Sequence, residues 1–238
     1  MNLSASSLGT FESCPRCFWY EKNRKNPRPR GLFPSLPGGI DRVLKEWANG
    51  LRACTGIVPT LETDKGPHKL FEDSVKVAKW QNWRSGLKWP DGKGNFLIGA
   101  LDDVLTNEAG KFVPLDWKTK GSETNQDDVE KYYQRQLDCY ALLLSTAGPE
   151  ADYGFILSHY PWFCRSDGAS IDIENPLKER IARVIHRTTF TVQTFCLKTD
   201  RFRAQDLFRR ALSCVQSEIA PPSSPGCEYC QFVAGRSL

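Results

Sequence analysis

The sequence predicts an α/β domain, a central mixed β-sheet flanked by helices, with its N- and C-terminal segments joined by a four-cysteine metal site. Three observations carry that expectation. Two β-prone runs, Asn95–Leu105 and Lys111–Thr119, are separated by Thr106-Asn107-Glu108-Ala109-Gly110 and read as a hairpin. A stretch from Thr124 to Leu144 keeps an apolar period suited to a long helix. Cys14-Pro-Arg-Cys17 and Cys227-Glu-Tyr-Cys230 stand near the two ends. A length of 238 residues suits one domain over residues 1–238, with segments 1–25 and 219–238 forming the cysteine lobe.

The elements follow in order. Ser residues before Leu8, Phe11 and Phe18 suit an N-capped helix over Ser4–Tyr20, bent or restarted at Pro15. Asn26–Gly39 is rich in proline and glycine and reads as an irregular connection. Val43, Leu44, Trp47 and Leu51 give a helix from Asp41 to Ala53, and Val75–Trp83 gives another. The turn Pro90–Gly94 leads into the hairpin. Thr124 and Asp127 have capping-box spacing at the start of the long helix, and Gly148-Pro149 stops it. Tyr153–Tyr160 and Thr188–Leu197 read as strands. Asp200 can cap a final helix through Phe202, Phe208, Ala211, Leu212 and Val215.

Composition excludes several classes. An apolar fraction of 40% fills a core, so the chain is not intrinsically disordered. The longest apolar run, Cys139–Leu144, is far short of the ~20 residues of a bilayer span, so no membrane partner is expected. The opening MNLSASSLGTFESCP has neither the basic nor the apolar region of a secretory signal, and a cytoplasmic location is expected. In a reducing compartment the nine cysteines read as metal ligands or redox thiols before disulfides. Two basic clusters, Arg16 to Arg30 and Arg201 to Arg210, are either solvated surface or phosphate-facing.

The hairpin carries the chemistry. Asp116 and Lys118 are two apart on a strand and leave the same face. Asp102 and Asp103 come from the partner strand, and two converging carboxylates make an oxygen-rich site suited to Mg²⁺ or Mn²⁺. Lys118 beside it can position a water or stabilise charge on a phosphate. Register decides which acid takes part. If Thr106 pairs with Phe112, Asp102 lies opposite Asp116; a one-residue slip brings Asp103 there instead. Gln136 and Tyr140 share a helix face, with Tyr133 one turn earlier; they are either core-margin residues or neighbours of this site.

Gly99-Ala-Leu-Asp102, Asp116-Trp-Lys118 and Gln136-Leu-Asp-Cys-Tyr140 resemble the G-x-x-D, D-x-K and Q-x-x-x-Y motifs of PD-(D/E)XK nucleases. The likeness is closest to the RecB/AddB branch, which includes the CRISPR-associated nucleases of spacer acquisition. The resemblance implies a restriction-endonuclease-like core and selects Asp102 over Asp103. It implies a DNA nuclease, an exonuclease on single-stranded or end-processed DNA, in repair, recombination or spacer acquisition, with a helicase or integrase as partner. Asp102 and Asp116 would hold Mg²⁺ or Mn²⁺ together with Asp41 and the Trp117 backbone carbonyl, and Lys118 would orient the attacking water. Asp41 stands where the family often has a histidine; its other reading is the N-cap of its helix. The competing functional reading is a non-catalytic nucleic-acid-binding or assembly module on the same fold, and a zinc-stabilised protein-interaction domain is a third.

Cys14, Cys17, Cys227 and Cys230 form a thiolate set that suits zinc or an iron–sulfur cluster. The branch resembled closes its domain with a [4Fe–4S] cluster, so that is the expected cofactor, with Zn²⁺ as the alternative. Cys54, Cys139, Cys164, Cys196 and Cys214 are expected to be small buried apolar groups. His68, His159 and His186 lack metal-ligand spacing and read as packed or surface residues. Trp80, Trp83 and Trp89, interleaved with Lys76, Lys79, Arg84 and Lys88, are either core or a stacking platform for single strands.

Overall fold

A computed structural model describes residues 1–24, 29, 35–59, 61, 63–161 and 189–235. Lys25, Arg28 and Arg30 of the first basic cluster, Cys164, His186 and the strand start expected at Thr188 lie outside the described residues. Successive elements are β1 (Asn2–Ser4), α1 (Ala5–Ser13), α2 (Pro15–Asn23), α3 (Ser35–Cys54), β2 (His68–Leu70) and α4 (Ser74–Gln81). There follow β3 (Leu87–Pro90), β4 (Phe96–Gly99), β5 (Asp103–Asn107), β6 (Phe112–Thr119) and α5 (Gln126–Leu144). The last are β7 (Tyr153–Pro161), β8 (Phe190–Lys198), α6 (Arg201–Gln216) and α7 (Glu228–Gly235).

A five-stranded mixed sheet runs in the order β2-β5-β6-β7-β8. Among the described strands of this sheet only β6 and β7 pair in parallel, and α5 is the crossover between them. Strand alternation gives the sheet two apolar faces. Leu105, Val113, Leu115, Phe155 and Leu157 pack with Leu44, Ala48 and Leu51 of α3. Val104 and Ile156 point the other way, into a core built from α5 and α6. A three-stranded sheet, β1-β4-β3, joins this second core through Leu3 and Leu97.

Several expectations are met. Ser4 caps α1 by accepting from the Ser7 amide, and Pro15 opens α2. Asp200 caps α6 through the Phe202 and Arg203 amides. Thr106 pairs with Phe112, leaving residues 107–111 as the hairpin loop.

Other expectations need correction. Asn95–Leu105 is not one strand: β4 and β5 belong to different sheets. The chain leaves the first sheet at Gly99, where a Cβ would meet Leu143 Cδ1 at 2.6 Å. In the gap, the Leu101 amide donates to the Trp80 carbonyl and the Asp102 carbonyl accepts from Gln81 Nε2, so α4 supplies the partners a strand would have given. Helix α3 begins at Ser35, inside the stretch expected to be irregular, so Asp41 is mid-helix and not an N-cap. Pro37 is tolerated because the first-turn amides of a helix have no acceptor within it. Helix α5 is capped by Asn125, not Thr124, because the Thr124 main chain is held on both sides by the Gln193 amide. Trp83 lies beyond α4, Phe202 is exposed, and Cys54 is exposed rather than buried.

Candidate active site

The hairpin register puts Asp102 and Asp103 on opposite sides of the sheet. Asp103 turns toward α3, where Arg52 Nη2 meets its Oδ1 at 2.6 Å in a fully buried ion pair. Asp102, in the gap between β4 and β5, turns toward α5 and comes within hydrogen-bonding reach of Asp116. Asp116 is 0% exposed.

Four other groups converge on these carboxyls. Lys118 Nζ lies 2.5 Å from Asp116 Oδ2 and stands over the Tyr133 ring, 5.1 Å from its centroid. Gln136 Nε2 donates to Asp116 Oδ1 at 2.9 Å and to the Tyr140 hydroxyl at 2.7 Å, so the helical spacing does aim both side chains at the acids. Lys45 Nζ, which sequence reasoning missed, sits 2.9 Å from Asp102 Oδ1 and 3.0 Å from Asp41 Oδ2. The available signal was its place one helical turn after Asp41. Asp41 therefore reaches the site only through Lys45. Trp117 lies between Asp116 and Lys118, with its indole on the opposite face against Trp47. The structure thus brings together Asp102, Asp116, Lys118, Gln136 and Tyr140.

Electrostatics follow from this crowding. Burial pushes the Asp116 carboxyl well above its usual range; Lys118 opposes that shift and Asp102 adds to it. Burial would raise Asp102 as well, but the hydrogen bond with Asp116 and the two ammonium groups bring it below its usual value. Two carboxyls this close titrate as a coupled pair. Tyr140, raised by burial and by both acids, stays a neutral phenol.

The donor set suits a hard cation. Asp116 Oδ2 is completely buried and has no hydrogen-bond donor in good geometry, only the Lys118 charge. Among the described residues Asp102 and Asp116 gather no third carboxylate, thiol or imidazole. One or two carboxylates, completed by waters and substrate phosphate, are what Mg²⁺ uses.

A second constellation joins the chain ends. Cys14 precedes the first turn of α2, Cys17 lies within that turn, and Cys227 and Cys230 occupy the same places on α7. The four sulfurs lie within 4.8 Å of one another, with Cys17–Cys230, Cys17–Cys227 and Cys14–Cys230 at 3.5, 3.6 and 3.8 Å. Burial resists ionisation of Cys14, yet the Cys17 and Ser224 amides and the neighbouring thiols lower it to about 6. Cys17 and Cys230 are pushed up, chiefly by burial. The set could hold a metal: thiolates at about 2.3 Å from one tetrahedral ion stand about 3.8 Å apart.

The three tryptophans divide. Trp80 is buried and stacks on Phe71, Trp89 packs edge-on to Phe208, and Trp83 is exposed. His68 and His159 are buried and packed.

Comparison with known proteins completes the picture. The solved structure of SSO0001 is similar over 98% of this chain and 84% of its own, at 16% identity and a TM-score of 0.47. Two curated relatives are 30% identical over 121 residues: the probable transport protein MmpL7 of Mycobacterium bovis and the phthiocerol dimycocerosate exporter MmpL7 of Mycobacterium tuberculosis. Those alignments cover 47% of this chain and span 13% of each relative. No described helix is long and apolar enough to cross a membrane. The PD-(D/E)XK nuclease superfamily model matches residues 39–234, a span that holds the β5–β6 hairpin, α5 and the acids between them. The chain belongs to the PD-(D/E)XK nuclease superfamily.

Proposed function

We propose that the protein is a Mg²⁺- or Mn²⁺-dependent deoxyribonuclease of the RecB/AddB-like branch, acting as an exonuclease on single-stranded or end-processed DNA. The observation that carries this reading is the convergence of Asp102 and Asp116 beside Lys118. Asp102 and Asp116 would hold the ion, with the Trp117 carbonyl as a further candidate, and Asp41 would act through Lys45. Once bound, the ion supplies water activation and charge neutralisation at phosphorus.

The remaining steps belong to the chain's own residues. Lys118, tethered to Asp116, orients the attacking water and balances charge on the phosphate. Gln136 fixes the orientation of Asp116 by a hydrogen bond. Tyr140, kept protonated by burial, remains a hydroxyl donor toward phosphate. We assign residues 1–238 to one domain, with the cysteine lobe at its two ends. Its cofactor is a [4Fe–4S] cluster by resemblance, whereas the 3.5–3.8 Å sulfur spacing favours Zn²⁺ as the second reading. Such an activity serves repair, recombination or spacer acquisition, where a helicase or integrase delivers the DNA end.

The Lys45–Asp102 ion pair favours one competitor, a binding or assembly module whose acid is permanently neutralised. The deciding experiment incubates protein purified without oxygen with end-labelled single-stranded DNA, in Mn²⁺ or EDTA, beside Asp116→Ala. Mn²⁺-dependent cleavage that vanishes in the variant is the expected result. Absence of cleavage by folded, metal-loaded protein would transfer the assignment to the binding module.

A further inference from the structure

We infer that the cleft beside Gln136 and Tyr140 seats an unpaired nucleobase of the bound strand, stacked on Trp83. The inference deepens the nuclease reading, from which it takes the identity of the strand. The cleft has a volume of about 440 Å³, and its walls include Ser6, Trp83, Ala100, Arg135, Gln136 and Tyr140. It shares a wall with the acids, because the Gln136 amide that lines it also donates to Asp116. A base held here leaves its flanking phosphate on the side of Asp102 and Asp116.

Trp83 supplies the reason to name a base. Its side chain is 74% exposed in the connection between α4 and β3, while Trp19, Trp80 and Trp117 are buried. The core gains little from it. The Arg84 guanidinium stands over the ring at 5.0 Å from the centroid, and an exposed indole with a guanidinium is the combination single-strand grooves use. Arg135, another lining residue, has a side chain that is 33% exposed and is held by Glu12 at 2.6 Å. Apart from Ile98, the remaining lining is small, from Ser4, Ala5, Ser6, Gly99 and Ala100, which leaves room for a planar ring. Stacking requires an open base face, and in a duplex each face is covered by the neighbouring pair. The cleft therefore selects single strands or frayed ends.

The test measures binding in EDTA, where no cleavage occurs, by anisotropy of fluorescent oligothymidine and of an abasic oligonucleotide of equal length. Wild type, Trp83→Ala and Trp83→Phe are compared. Trp83→Ala should weaken oligothymidine binding about tenfold, Trp83→Phe should retain most of the affinity, and both variants should bind the abasic strand as wild type does. Unchanged affinity in Trp83→Ala, equal wild-type affinity for the two oligonucleotides, or no binding at all would overturn the inference. Its failure is separable from that of the nuclease reading. Mn²⁺-dependent cleavage with Trp83-independent binding leaves the nuclease without this subsite, and Trp83-dependent binding without cleavage leaves the subsite without the nuclease.

Discussion

The acid cleft and the cysteine lobe both gather groups that resist being buried together, but they are neutralised differently. In the cleft, Lys45 and Lys118 stand 2.9 and 2.5 Å from Asp102 and Asp116, one ammonium for each acid. In the lobe, burial, backbone amides and the thiols themselves set the charge, with Cys14 lowered and Cys17 and Cys230 raised. The cleft thus brings its own counter-charges, whereas the lobe could take its charge balance from a bound metal.

The largest effect expected from this contrast is on the lobe. Stripping an ion held there would remove binding energy on the order of 10 kcal/mol from that region. Hydrogen exchange should then show α2 and α7 unprotected while β6 and α5 remain closed; loss of protection in all four would abolish the distinction. Next comes Asp103→Ala, which leaves Arg52 buried without its partner and should cost about 3–5 kcal/mol in urea denaturation. Lys118→Ala should lower cleavage by about 10²–10³-fold or more, with near-ultraviolet circular dichroism unchanged. Retained cleavage would remove Lys118 from the chemistry.

The smallest effect is graded by pH. Asp116 is raised above its usual value, so the metal-free fold keeps a proton that the unfolded chain has released. That group's contribution to metal-free stability therefore falls as pH rises. A bound ion must displace the proton, so Mn²⁺ affinity should rise with pH, about tenfold per unit below the folded-state titration. Calorimetry in buffers of different ionisation heat should detect the released proton, and a flat profile would mean that Asp116 is already ionised in the cleft.

Legibility in the sequence followed the range of the interactions. The β5–β6 register, the long helix and the caps at Ser4 and Asp200 are local, and their residues announce them. The gap at Ala100–Asp102 was not legible, because it depends on Leu143 filling the space above Gly99 and on α4 supplying hydrogen bonds. Strands β1 and β2 have three residues each and exist only through pairing with β4 and β5. Within the site, acids brought by neighbouring strands could be matched by parity. Lys45 could not, since it approaches from a helix packed on the other face of the sheet.

The cysteine lobe has a mechanical consequence. Cys17 and Cys227 are 210 residues apart along the chain yet share one small sphere with Cys14 and Cys230. Tension applied from the C-terminal side meets α7 before any strand. With an ion in place the load would pass from one helix to the other through sulfur–metal bonds and bypass the hairpin that carries Asp102 and Asp116. A machine that pulls on a DNA strand, or on a protein fused to this one, could strain such a domain without disturbing the spacing of its acids.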